Sequence, residues 1–202
     1  MKKYELIEND TKIVNGKTLY RIRALVAISL SVAAGDLGGY VESEKNLSHD
    51  GNAWVSGNAE VFGNAEVYGD ALVSGNAVVA GDAEVSGHAL VSGDAVVYGN
   101  AWVSGHAVVA GDALVSGDAW VSDNAWVSKS SDVQWFSHVG SENGTLTVFR
   151  TKDGDLFVTR GCFSGTLAEF EAAVNEKHGD SKIGRHYKLL IQAIELCFSK
   201  KS

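Results

Sequence analysis

From residue 51 to residue 128, small or apolar residues alternate with variable ones on a strict six-residue period: GNAWVS, GNAEVF, GNAEVY, GDALVS and onward, thirteen units with no insertion. Ala holds the third place of every unit, from Ala53 to Ala125, and Val the fifth, from Val55 to Val127. Places two apart lie on one side of an extended chain, so each unit predicts a short strand with one buried face. Residues two apart do not share a helical face, which excludes an amphipathic helix. The Gly-Asn, Gly-Asp or Gly-His pair that opens most units is turn chemistry: glycine accepts positive φ, and Asn or Asp tolerates the left-handed region. A corner every six residues closes a triangle every three units, 18 residues per coil, and predicts a mainly β fold, a parallel β-helix of four to five coils. Calcium-binding rolls repeat every nine residues with a different Gly/Asp order, and the spacing excludes them.

Outside the repeat the pattern changes. Residues 2–25 predict a β-hairpin turning at Asn15-Gly16. The apolar run over residues 24–34 is too short to span a bilayer, lacks the basic start of a secretory leader, and is expected to be a buried strand. Residues 38–48 are expected to close the first coil, because the open end of a β-helix is an exposed edge. Val133 and Val139 keep the six-residue register while their neighbours do not. Strands over 145–150 and 156–160 flank Lys-Asp-Gly-Asp, a hairpin signal. Thr166 and Glu169 form a capping box ahead of a helix over 167–177, which Gly179 ends. A second helix over 184–198 places Tyr187, Leu190, Ile191, Ile194 and Phe198 on one face. The expected division is an N-terminal β cap (1–45), a β-helix (46–140) and a small ββαα module (141–202).

The aliphatic residue followed four places later by a small one, as in Val55-Ser-Gly-Asn-Ala59, resembles the motif of the hexapeptide-repeat proteins that form a left-handed parallel β-helix. That resemblance covers about 78 of the 202 residues and is the source of the expected handedness. The place after the aliphatic residue is mostly Ser here, a departure from the family's more usual Gly or acid. With its flanking segments the chain is similar to bacterial and prophage-type hexapeptide proteins, some labelled transferase-like or polymer-forming, a likeness that implies no particular activity. It does imply a homotrimer.

Charge narrows the field. The net charge is −8, and the repeat carries nine acids with no Lys or Arg, so nucleic acid is not expected along the rod. Cys162 and Cys197 have neither CxxC nor His spacing, so a disulfide framework or zinc site is not expected and a cytoplasmic setting is. No cofactor, metal or membrane partner is expected.

Few residues suggest chemistry. His88 and His106 stand 18 apart in the corner column Asn52, Asp70, His88, His106, Asn124, and should stack about 5 Å apart. They are candidates for a shared metal or proton, or simply substitutes for Asn or Asp at a solvated corner. In hexapeptide acyltransferases a His acts as general base beside an inserted loop, and this repeat has no insertion. The three-histidine spacing of the trimeric carbonic anhydrases of that fold is not present. Cys162 is a candidate nucleophile near His178 or His186, against the plainer reading of a small buried hydrophobe. Lys182, Arg185, His186 and Lys188 are candidate anion ligands, against that of a solvated helix face.

The outward places are more unusual: Trp54, Leu72, Leu90, Val108 and Trp126 fall on one side, Glu60, Val78, Val96 and Leu114 on the second, Glu66, Glu84, Trp102 and Trp120 on the third. Trp54, Leu72, Leu90, Val108, Trp126, Trp102 and Trp120 are the expected interface, unless the terminal segments cover them. Glu60, Glu66 and Glu84 are expected in solvent. A non-catalytic scaffold that self-associates as a trimer is the leading reading, with a further protein partner conceivable at the C-terminal module. A hexapeptide-repeat acyltransferase and a small-ligand, nucleotide-like binding or sequestering protein are the alternatives. The acyltransferase rests on fold analogy alone.

Overall fold

A computed structural model describes residues 1–199. The chain enters through an antiparallel hairpin, β1 (Tyr4–Val14) and β2 (Lys17–Ala24). It turns at Asn15 and Gly16, both at positive φ as the tight hairpin turn requires. Strand β3 (Leu37–Val41) follows. Thirteen two-residue strands come next at six-residue intervals, from β4 (Trp54–Val55) to β16 (Trp126–Val127). Each of the first ten pairs in parallel with the strand three further on, Trp54 opposite Leu72, Leu72 opposite Leu90, Leu90 opposite Val108, Val108 opposite Trp126. The result is a three-sided parallel β-solenoid of about five coils, with a Val and an Ala of every unit lining its interior at no more than 1% exposure.

The corners explain the rest of the repeat. At Gly93 φ is +71°, and a Cβ there would sit 2.9 Å from the backbone nitrogen of Gly111 in the next coil. Glycine is therefore required both by dihedral angle and by crowding. The final unit opens with Asp123 at φ +57°, where no further coil lies above to crowd a side chain. Beside the glycines, Asn and Asp stack between coils: Asn52 Nδ2 donates to Asp70 Oδ1 at 2.7 Å, Asn64 to Asp82 at 2.8 Å, and Asn100 to Asp118 at 2.8 Å. Where Asn precedes Asp, a donor meets a carboxylate and like charges are kept from stacking.

Between coils, three N–H groups of a typical unit point onward, as Leu72, Ser74 and Asn76 donate to the carbonyls of Ala89, Val91 and Gly93 at 2.8–2.9 Å. The first coil thus has carbonyls that no earlier coil supplies with donors, and the last has N–H groups with no later carbonyl. Buried side chains meet both needs. Lys3 Nζ donates to Gly51 O (3.3 Å) and Ala53 O (2.8 Å), and Asn46 Nδ2 to Gly63 O (3.1 Å) and Ala65 O (2.8 Å). Tyr4 Oη donates to Leu47 O at 2.7 Å. At the far end the roles reverse: Trp120 N donates to Thr147 Oγ1 at 3.0 Å and Ser128 N to Asp132 Oδ2 at 3.1 Å. Lys3 and Asp132 are each 4% exposed and Asn46 is fully buried.

Residues 38–48 close the first coil as expected. Val41 pairs with Val61 and Leu47 with Val67, before the 18-residue register sets in at Trp54. Residues 24–34 are not a buried strand. Beyond Ala24 the chain forms an exposed loop with a tight turn between Ser29 and Val32, and only Ile28 of its larger residues is buried. Ile28-Ser29-Leu30-Ser31-Val32 does alternate, but the turn between Ser29 and Val32 leaves Leu30 fully exposed, so the run presents no sheet face.

The C-terminal unit holds a four-stranded antiparallel sheet, β17 (Val133–Val139), β18 (Gly144–Arg150), β19 (Leu156–Arg160) and β20 (Phe163–Thr166). The sequence pattern predicts only the middle hairpin of this sheet. Helices α1 (Leu167–His178), with its Thr166–Glu169 capping box, and α2 (Lys182–Phe198), capped by Ser181, complete it. Val133 and Phe149 join the rod's core, so the sheet plugs the last coil. No helix of the described residues is long and apolar enough to cross a membrane.

Two predictions test this architecture. Val96 and Val97 are neighbours on opposite sides of the rod wall, the first half-buried and the second fully buried. Val97→Asp should cost about 3–5 kcal/mol in urea unfolding because its carboxylate has no partner inside, and Val96→Asp no more than about 1 kcal/mol. Similar losses in both would contradict the inward assignment. Burial lowers the Lys3 ammonium from 10.5 to about 8, opposed by Asp50 and Asp70. The unfolded chain then holds a proton that the folded chain has released, so stability rises with pH above about 8. Burial, and next Glu44, raise the Tyr4 phenol, which works in the opposite sense above pH 10. Between pH 7 and 9.5 the wild type should gain about 1–2 kcal/mol in urea unfolding, and Lys3→Met should lack that gain.

Candidate interaction surface

The outward columns stand where alternation put them, but the terminal segments cover part of two. Trp54 is only 3% exposed, because Tyr4 packs edge-on against its indole at 6.4 Å. Glu60, expected in solvent, is 8% exposed and pairs with Lys12 of the hairpin. Leu19, Val14 and Tyr40 pack on Phe62, Val78 and Ala80 over the early coils of that side. Glu66 and Glu84 are exposed as expected. What stays open on the first side is Leu72 (38% exposed), Leu90 and Val108 (both half-buried) and Trp126 (45%), in register on one sheet. This row of apolar side chains carries no charge.

On the third side Trp102 and Trp120 stack at 4.9 Å with ring planes 8° apart. Each indole N–H reaches a serine of the preceding coil, Ser86 at 3.3 Å and Ser104 at 3.5 Å. The backbone of Trp120 is fixed from above, since Thr159 Oγ1 donates to its carbonyl at 2.7 Å. Trp102 remains 39% exposed, so a rigid aromatic step lies beside Glu84 on the same ladder.

The histidine pair forms as predicted: the His88 and His106 rings stack at 5.0 Å, 7° apart, and His88 Nδ1 lies 3.6 Å from Asp70 Oδ2. Parallel ring planes direct their in-plane nitrogen lone pairs along parallel lines, which does not make a bidentate metal site. Both rings are exposed, and no inserted loop encloses the pair. Among the described residues no group of three or more His, Cys, Asp or Glu is arranged to hold a metal.

In the C-terminal unit, Cys162 is exposed, not a buried hydrophobe, and lies on the wall of a cavity that His178 also lines. His186 is not on that wall. Lys182, Arg185 and His186 are exposed along α2, and Lys188 pairs with Asp180 at 3.1 Å, so these four do not converge on one point. The cations that face the cavity are Arg160 and Lys177, which sequence reasoning missed. The available signal was Arg160 closing a strand immediately before Gly161-Cys162, with Lys177 and His178 in the last turn of a helix.

A family model described as YdcK Beta solenoid repeat matches residues 65–81 and 83–99, each close to one coil of the central rod. No curated protein matches the chain. Together with the stacked coils, the matching segments identify the chain as a β-solenoid repeat protein.

Proposed function

We propose that the protein is a non-catalytic interaction scaffold that works as a trimer of side-by-side parallel rods, joined along Leu72, Leu90, Val108 and Trp126. The observation that carries this reading is the open apolar ladder itself, four side chains on consecutive coils with no charge among them. Its regular spacing is shared by every copy, so two copies can interdigitate along their whole length. Both rod ends are covered, by the N-terminal hairpin and loop and by the C-terminal sheet, which disfavours end-to-end growth and favours lateral packing. The number three comes from the hexapeptide-repeat resemblance, and cyclic symmetry then closes the assembly. Each buried ladder side chain contributes on the order of 1.5–3 kcal/mol before the cost of association.

Against an acyltransferase stand the uninterrupted repeat and a rod without a cation for a phosphate-bearing acyl donor. Two exposed free thiols, Cys162 and Cys197, suit a reducing compartment.

Light scattering on the wild type should give three chain masses, and the double variant Leu72→Glu/Leu90→Glu should give one. A monomeric wild type, or a trimer that keeps its mass with both charges in place, would remove this face as the interface.

A further inference from the structure

We infer that the cavity between the C-terminal sheet and its two helices is a binding site for a small organic anion, a phosphate or carboxylate carried on a single flat apolar ring. The inference is independent of the trimer reading, since the cavity lies within one chain.

The site is built around Arg160. Of the three half-buried arginines, Arg21 lies 2.9 Å from Asp10 and Arg150 lies 3.7 Å from Asp132, whereas Arg160 makes no ion pair among the described residues. Its Nη2 donates to Val139 O at 2.7 Å, and its Nε is buried without a partner. A half-buried guanidinium without a carboxylate loses hydration that its bond to Val139 O restores only in part. The backbone nevertheless makes room for it. A Cβ at Gly144 would lie 2.7 Å from Arg160 Nη1, and one at Gly140 would lie 3.0 Å from Nη2 and 2.1 Å from Tyr187 Oη. These two glycines let the loop between β17 and β18 pass close over the guanidinium and the phenol, and so hold both in place.

The cavity beside it has a volume of about 340 Å³. That is at the small end of ligand sites, which run from about 300 to 1,000 Å³, and suits a one-ring molecule. Its charged wall is Arg160, Lys177 and His178 against the single acid Glu142. Its apolar wall is a run of edge-to-face aromatics: Phe163 against Phe170 at 5.2 Å and 61°, then Phe170 against Tyr187 at 5.4 Å and 89°. Edge-to-face packing holds the rings rigid, with Phe170 and Tyr187 buried as the floor and half-buried Phe163 the ring that keeps open surface for a flat ligand body. An anion beside Arg160 with its ring against Phe163 pairs with the guanidinium charge and covers the apolar wall together.

Cys162 on the cavity wall is a natural reporter, and Cys197, exposed on α2 away from the cavity, an internal reference. The experiment is alkylation of the full chain with iodoacetamide, following both cysteines by peptide mass spectrometry, with phenyl phosphate, inorganic phosphate or benzyl alcohol added. Phenyl phosphate should slow modification of Cys162 saturably and leave Cys197 unchanged, with either fragment alone at least about tenfold less effective. Arg160→Gln and Lys177→Glu should each raise the half-protecting concentration of phenyl phosphate by about tenfold. Lys177 is exposed on α1, so Lys177→Glu keeps the test valid should Arg160→Gln loosen the sheet. No slowing of Cys162, equal slowing of both cysteines, protection by benzyl alcohol equal to that by phenyl phosphate, or protection indifferent to Lys177→Glu would each overturn the inference.

Discussion

The hydrogen-bond ladder between coils is the interaction on which the rest of this structure depends. It lets strands of two residues exist at all, because each inner one is tied to the coil before and the coil after. The same ladder creates the main liability of the fold. A rod of stacked coils ends in a ring of unpaired backbone groups, carbonyls in excess at one end and N–H groups at the other. The chain answers with buried side chains of matching polarity: the ammonium of Lys3, the amide of Asn46 and the phenol of Tyr4 face carbonyls, while Asp132 and Thr147 receive N–H groups. It is the logic of helix capping transferred to a solenoid. Among its consequences are buried polar groups at the two ends of an otherwise Ala and Val interior.

The narrow interior has a second consequence. With only Ala and Val inside, larger apolar side chains must point outward, and each meets one of two fates. Near the entry they are roofed by the chain's own hairpin, as Trp54 is by Tyr4 and Phe62 by Leu19. Midway along the rod the hairpin does not cover them: Leu72, beside the entry loop at Val32 and Leu37, and Leu90, Val108 and Trp126 keep open surface. The division between core and interaction surface is thus set by how far the terminal segments extend over the coils.

The rod was legible because every structural role is repeated thirteen times, so a single odd residue could not mislead. The hairpin turn, the capping box and the apolar face of α2 were legible for a related reason: each is a local pattern with its own spacing. Residues 24–34 are misleading because the alternation of Ile28-Ser29-Leu30-Ser31-Val32 reads as a strand, whereas a tight turn falls within it and leaves Leu30 exposed. Alternation showed that Trp54 and Glu60 point outward, but could not show that the hairpin folds back over them. Lys3, Asn46 and Asp132 gave no signal at all, since a cap is one residue acting on backbone groups distant in sequence. Arg160 was hidden for the same reason, its neighbours coming from a loop, a strand and two helices.

The central claim is that the polarity of the end caps, beyond their mere presence, stabilises the rod, and thermal unfolding of Asn46→Asp tests it most directly. The two side chains have nearly the same shape, and Asp retains the acceptor oxygen that Ser43 N meets at 2.9 Å. What changes is the Nδ2 donor to Gly63 O and Ala65 O, replaced by a second acceptor in a fully buried place. Two carbonyls left without donors beside a buried carboxylate should lower the melting midpoint by about 10 °C or more. A midpoint within about 2 °C of the wild type would contradict the account.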